Sequence, residues 1–315
     1  MTETGLETTD WRVSDRAHRK SAPKQAVYDV LRAVLSARAA RHLSPSFRRQ
    51  IRPDAVYFTR GAPEEWRRRR GARHVALADA KTLVQGTGTG WDALSWAEMK
   101  PRRVIATDLY AFDESWEQIA AECRDRLGVT VEFPQAAPED HRFLGSSSIY
   151  LCASAAVLEY CRDLQSVLAE LMRLLRPGGS FYAAYGPLWY GPGGDHFSGR
   201  DGLESIYNHL GLDEGDYGAY VKAHLRPREN FQSGGRYVEL DLFSRLPTRG
   251  YLAAFEEAEF IRDGLVVELP PDALSYRKRF PELWRALLAR LDGQCNEYDL
   301  IIKANFVCLL KSGGR

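Results

Sequence analysis

An α/β fold with a mostly parallel sheet is predicted by three features of this 315-residue sequence. Short apolar runs alternate with helical stretches from about residue 75 onward. One of those runs opens directly into closely spaced glycines, and a leucine-rich helix stops at a proline and two glycines before the next run. With 44% hydrophobic and 27% charged residues, the chain can bury a good core. The 43 basic and 42 acidic residues leave a formal charge of +1, which supplies no global field for holding nucleic acid or an anionic membrane. No window approaches eighteen consecutive apolar residues, and Met1 to Glu7 carry neither a basic nor an apolar leader segment. The expectation is a chain that is neither membrane-embedded nor exported. The cysteines, Cys123, Cys152, Cys161, Cys295 and Cys308, include no C-x-x-C pair and read as reduced thiols in a cytoplasmic protein. No histidine, cysteine or carboxylate spacing suits a metal site.

Taken in order, residues 1–75 read as a helical N-terminal cover. Residues 1–22 are polar, and then Val27, Val30, Leu31, Val34 and Leu35 predict an amphipathic helix over 24–41. A helical or mixed stretch continues to about 73 and includes Arg67 to Arg70, a charge run read as a solvated helix end. Residues 76–186 hold the first part of the core. Strands are expected at Thr82 to Val84, Val104 to Ala106, Val129 to Phe133, Ser148 to Cys152 and Ser180 to Ala184. Before the last of them, Leu164, Val167, Leu168, Leu171, Leu174 and Leu175 recur at helical spacing, and Arg176-Pro177-Gly178-Gly179 turns the chain. Residues 187–250 break this rhythm with glycines, aromatics and charges, as a lid or substrate-binding insertion would. Residues 251–315 complete the core with a helix at Tyr251 to Phe260, a strand at Gly264 to Glu268 and a helix around 281–291. The final strand is expected from Leu300 to Ile302 and from Asn305 to Leu310.

The chemistry begins at Leu83-Val84-Gln85-Gly86-Thr87-Gly88-Thr89-Gly90, a strand running into glycines at alternate positions. Such a turn leaves backbone N–H groups and open space for a nucleotide-like ligand, although a glycine turn without a ligand has the same look. A dinucleotide fingerprint needs its third glycine where Trp91 stands. Asp108 follows Gly86 by 22 residues at the end of the second strand, where a carboxylate accepts both ribose hydroxyls; the alternative role there is a helix N-cap.

Together with Ser154-Ala155-Ala156-Val157-Leu158-Glu159-Tyr160 and Leu171-Met172-Arg173-Leu174-Leu175-Arg176-Pro177-Gly178-Gly179, these stretches resemble the class I S-adenosylmethionine-dependent methyltransferases over residues 76–185 and 251–311. The resemblance implies a Rossmann-like, seven-stranded, mostly parallel sheet with helices on both faces, and S-adenosyl-L-methionine as cofactor. Its residues would be Gln85, Gly86, Thr87, Gly88, Gly90, Asp108, Leu109, Ala137 and Ser154. Three positions depart from the family's pattern: Gln85 replaces an acid, the run Gln135 to Asp140 lacks a clear adenine-facing acid, and Ser148-Ile149 replaces Phe-Asp.

A sulfonium methyl is already activated, so transfer needs alignment and, for a hydroxyl acceptor, a base. The segment after the fifth strand offers His196 as that base, with Asp195 to orient it, and Tyr185, Trp189 and Tyr190 to face the sulfonium or an aromatic acceptor. Tyr57 and Arg60 are candidates for closing over the methionyl carboxylate. The expected reaction is methyl transfer to a small molecule, with oxygen as acceptor atom. The partner is that substrate, with no nucleic acid and no membrane, and a homodimer is the oligomer considered. Two other readings stay open: a cyclase or lyase that releases methylthioadenosine, and a catalytically silent partner subunit on the same fold.

Overall fold

The computed structural model describes residues 34–51, 55–58, 64–224 and 240–313. Its strands are β1 (Val56–Phe58), β2 (Lys81–Gln85), β3 (Arg103–Thr107), β4 (Thr130–Glu132), β5 (Ile149–Ala155), β6 (Leu175–Tyr185), β7 (Phe260–Glu268) and β8 (Ala304–Lys311). They form one sheet in the order β1-β7-β8-β6-β5-β2-β3-β4. Only β8 runs antiparallel to its neighbours β6 and β7. The strands expected from the apolar runs near 82, 104, 129, 148, 180, 264 and 305 are all present.

The apolar runs are continuous rather than alternating because both faces of the sheet are covered. Adjacent residues therefore enter different cores: Leu83 packs with Ile105, Phe181 and Leu168 on one face, and Val84 with Val104, Tyr182 and Trp96 on the other. The helix Leu164–Leu174 lays its leucines on the first of these faces, and the Asp163 carboxylate caps it by accepting the Ser166 N–H.

The sheet has eight strands where seven were expected. The additional one is β1, in the segment expected to be helical, and it pairs parallel with β7 through Val56↔Val266 and Phe58↔Glu268. Three residues are too short for a period to show, and the pairing joins positions about 210 residues apart. Leu300 to Ile302 also differ from expectation. Asp299–Ile301 is a 3-10 turn, apolar because it is buried and not because it is extended. The leucine helix stops at Leu174, and the Pro-Gly-Gly residues form a bulge in β6, with Leu175 opposite Ile149 and Ser180 opposite Leu151. The expected helix over 24–41 is described only at 34–40, which is helical. In the insertion, Glu214–His224 is a helix that no apolar stripe announced.

Strands β2, β3 and β4 step in one direction across the sheet, whereas β5 lies on the other side of β2. This reversal opens a crevice at the carboxyl ends of β2 and β5, where Gln85 is paired with Ser154.

Candidate active site

The glycine loop sits at that crevice, and its three glycines are needed for different reasons. A Cβ on Gly86 would lie 2.0 Å from Cγ2 of Val157, so the loop and the turn after β5 are in direct contact. Gly90 has φ +99° and begins the helix Trp91–Ala97, with Ile119 and Phe133 close behind it. Gly88 has φ +51°, and a Cβ there would meet nothing within 4 Å. Two packed glycines thus carry a third whose outer side is open, the arrangement that lets a ligand lie on backbone.

Asp108, at the end of β3, faces this loop. Its Oδ2 accepts the Gly88 N–H at 2.8 Å and its Oδ1 accepts the Tyr110 N–H at 3.0 Å. Burial pushes its carboxyl upward, opposed by those same N–H groups and by that of Leu109. Leu109 itself is 43% exposed at the strand end, next to Asp108, and is free to cover a planar base. Gln85 is fully buried, and its Nε2 donates to the Pro138 carbonyl at 3.0 Å, tying β2 to the loop that holds the half-buried Ala137.

An adenosyl sulfonium fits these residues. Gln85 Oε1, Thr87 Oγ1 and Ser154 Oγ are buried polar atoms without a hydrogen-bond partner, all at the carboxyl ends of β2 and β5. Native interiors leave few such atoms unsatisfied, and polar groups of a ligand in the crevice would supply partners. The open Gly88 and the Asp108 carboxylate lie on the same loop.

The catalytic candidates separate into different places. His196 has φ +65°, rare for a residue with a side chain, and shares a 2.8 Å hydrogen bond through Nε2 with the Tyr160 hydroxyl. Tyr160 belongs to the turn whose Val157 contacts Gly86, and its N–H donates to the Val157 carbonyl at 2.8 Å. This places the Tyr160 backbone one turn from the residue that contacts the glycine loop. The rings of Tyr160 and His196 also lie against Phe243.

Asp195 does not orient His196. Its fully buried carboxylate accepts the Ser198 N–H at 2.9 Å, the Ser198 hydroxyl at 3.1 Å and the Tyr217 hydroxyl at 2.8 Å, and lies 3.5 Å from His209 Nδ1. Tyr185 ends β6, and its hydroxyl is buried without a hydrogen-bond partner among the described residues. It is buried between Tyr251 and Phe255, and burial drives its phenol far above the usual range. Trp189 is half-buried, edge-on to His209, with the Arg245 guanidinium 4.6 Å from its ring centre. Tyr57 is a buried residue of β1, and Arg60 lies outside the described residues. Tyr160 was missed as a catalytic candidate because its partner stands 36 residues away, and no local spacing reports such a contact.

Residues 83–183 match the family model described as a methyltransferase domain. The malonyl-[acyl-carrier protein] O-methyltransferase of Serratia marcescens is 34% identical over 99 residues, 31% of this chain and 34% of that protein. The protein of the same description from Yersinia pestis is 34% identical over 118 residues, 36% of this chain and 40% of that protein. The chain thus spans little more than a third of these curated relatives. Among solved structures, geranyl diphosphate C-methyltransferase from Streptomyces coelicolor A3(2) superposes with a TM-score of 0.47 at 14% identity, covering 79% of this chain and 78% of that one. The matched residues hold the glycine loop and the strand-end aspartate, so it is this part of the chain that is similar to a methyltransferase domain. S-adenosyl-L-methionine is the methyl donor that this similarity, together with the resemblance of the motifs, implies.

Proposed function

We propose that the protein transfers a methyl group from S-adenosylmethionine to an oxygen of a small-molecule acceptor. The observation that carries this reading is the His196–Tyr160 pair, its Tyr160 backbone one turn from the residue that contacts the glycine loop, together with partnerless polar atoms at the strand ends. When bound, the cofactor supplies a methyl group on a positively charged sulfur. The chain's own contribution is to bind, align and move one proton. Gly88 and Asp108 fix the adenosyl end, and Leu109 and Ala137 flank the base. The Tyr160 hydroxyl takes the acceptor's proton while passing its own to His196 Nε2, so that the acceptor oxygen is free to attack. Trp189 and Phe243 give the acceptor an aromatic wall. The names of the two curated relatives, both O-methyltransferases, support oxygen as the acceptor atom.

The test is to incubate the full chain with S-adenosylmethionine and an acceptor panel of phenols, alcohols and carboxylates, and to identify the adenosyl product by mass spectrometry. S-adenosylhomocysteine together with a methylated acceptor is expected. Methylthioadenosine with no methylated product would replace this reading by cyclase or lyase chemistry. Failure to bind the cofactor would indicate a silent subunit. His196→Ala should slow transfer to hydroxyls about a hundredfold or more and spare transfer to carboxylates, which arrive without a proton to remove.

A further inference from the structure

We propose that Trp116 is a positioning residue of the cofactor loop, holding Gly88 in its binding conformation before any ligand arrives. Trp116 stands in the helix Asp113–Glu122, within the matched residues 83–183 but in none of the motifs quoted above. Its indole Nε1–H donates to the Gly88 carbonyl at 2.7 Å. On the other side of the same residue, the Gly88 N–H donates to Asp108 Oδ2 at 2.8 Å. Both peptide groups of the one glycine whose outer side is open are therefore pinned, one by an aromatic donor and one by the carboxylate assigned to ribose.

The indole is itself fixed. It stacks on Phe133 with ring centres 5.4 Å apart and planes 12° from parallel, and Phe133 in turn lies 3.3 Å from where a Cβ of Gly90 would be. The chain of contacts closes on the loop at both Gly88 and Gly90. Glycine visits positive and negative φ with similar ease, so a loop of three glycines without such a pin would be spread over several conformations. Holding Gly88 at φ +51° means that a ligand does not have to order the loop as it binds, and this preorganisation is where affinity is gained. Asp108 Oδ2 keeps a second lone pair for a ribose hydroxyl while it accepts the Gly88 N–H.

This inference rests on the cofactor reading above, and the experiment separates the two. The dissociation constant of S-adenosylhomocysteine is measured by calorimetry for the full chain, for Trp116→Phe and for Trp96→Phe, with the melting temperature of each. Trp96 is the structural control, a buried indole on the same face of the sheet that packs edge-on against Tyr182. Trp116→Phe retains an aromatic ring but loses the donor, and binding should weaken about fivefold to tenfold, the effect of one neutral hydrogen bond. Trp96→Phe should lower the melting temperature and leave affinity within about twofold. Trp116→benzothienylalanine, with sulfur in place of the N–H and the shape retained, should weaken binding as Trp116→Phe does, and serves if the smaller ring impairs folding. Unchanged affinity in both position-116 variants would overturn the proposal, as would equal weakening by Trp96→Phe. An unmodified chain that binds no S-adenosylhomocysteine would overturn the cofactor reading itself.

Discussion

Glu159→Gln should flatten the pH dependence of stability between pH 5.5 and 8.5. Glu159 is 1% exposed, its Oε1 accepts the Gly186 N–H at 3.1 Å, and its Oε2 has no partner. Burial raises its carboxyl from 4.5 to about 8, with the N–H groups of Gly186 and of Glu159 itself pulling the other way. The folded state therefore holds a proton that the unfolded chain releases at lower pH. Stability from this group is fully present below pH 4.5 and is lost progressively as pH rises to about 8. At about 1.4 kcal/mol per pH unit, the whole span is worth on the order of 5 kcal/mol, of which about 3 fall between pH 5.5 and 8.5. The Glu159 carbonyl also accepts the Ser244 N–H at 3.0 Å, so one residue holds both roots of the 187–250 insertion. Glutamine keeps the acceptor for Gly186 and removes the titration. In urea unfolding at pH 5.5, 7.0 and 8.5, the original chain should lose about 3 kcal/mol relative to Glu159→Gln as pH rises. Parallel stability profiles for the two proteins would refute the reasoning.

His141 should shape the acid side in the opposite sense. It is buried against the Thr107 hydroxyl, burial lowers it from 6.5 to about 4, and stability is therefore lost as pH falls through that window, by about 3 kcal/mol; His141→Gln should flatten that limb in a pH series of melting curves. Gly86 and Gly88 should separate folding from binding. Gly86→Ala meets Val157 at 2.0 Å and should lower the melting temperature by several degrees, whereas Gly88→Val points into open space and should abolish S-adenosylhomocysteine binding in calorimetry at a strain cost of only about 1 kcal/mol. Asp195→Ala strands the Ser198 and Tyr217 donors and should cost about 3 kcal/mol in chemical denaturation while leaving cofactor affinity unchanged.

What could be read in the sequence was the part whose physics is local. The path from Leu83 to Gly90 announces itself because strand, turn and helix start are consecutive, and Asp108 because a strand end carries it to the neighbouring position. The glycines could be recognised without knowing which of them is open. That distinction depends on Val157, about 70 residues later in the chain and in contact with Gly86. Trp116 and Tyr160 were invisible for the same reason. Their partners, Gly88 and His196, come from other elements, and a tryptophan in an amphipathic helix looks like any other core residue until its N–H is placed. β1 escaped because its pairing partner β7 is formed by the far end of the chain.

The pair Asp195-His196 shows why neighbours in sequence are poor evidence for partners in space. After a segment leaves a strand, successive side chains point in different directions, and here the carboxylate turns inward while the imidazole turns to Tyr160. Asp195 finds a different histidine. With Ser198 and His209 it assembles the three residue types of a nucleophilic triad, but the geometry assigns them to structure: Ser198 Oγ donates to Asp195 Oδ2 at 3.1 Å and accepts the His209 backbone N–H at 3.0 Å. His209 Nδ1 lies 3.0 Å from the same Ser198 hydroxyl and its Nε2–H donates to the Trp189 carbonyl at 2.7 Å, so both ring nitrogens are engaged within a fully buried network that no substrate reaches. The bonds join residues 189, 195, 198, 209 and 217, staples across an insertion rich in glycine and without strands among its described residues. The same contacts tie Trp189, through His209, to the segment that carries His196. On the proposed function, Asp195 serves the buried network and His196 the proton transfer, and substitutions at these adjacent positions should have unlike consequences.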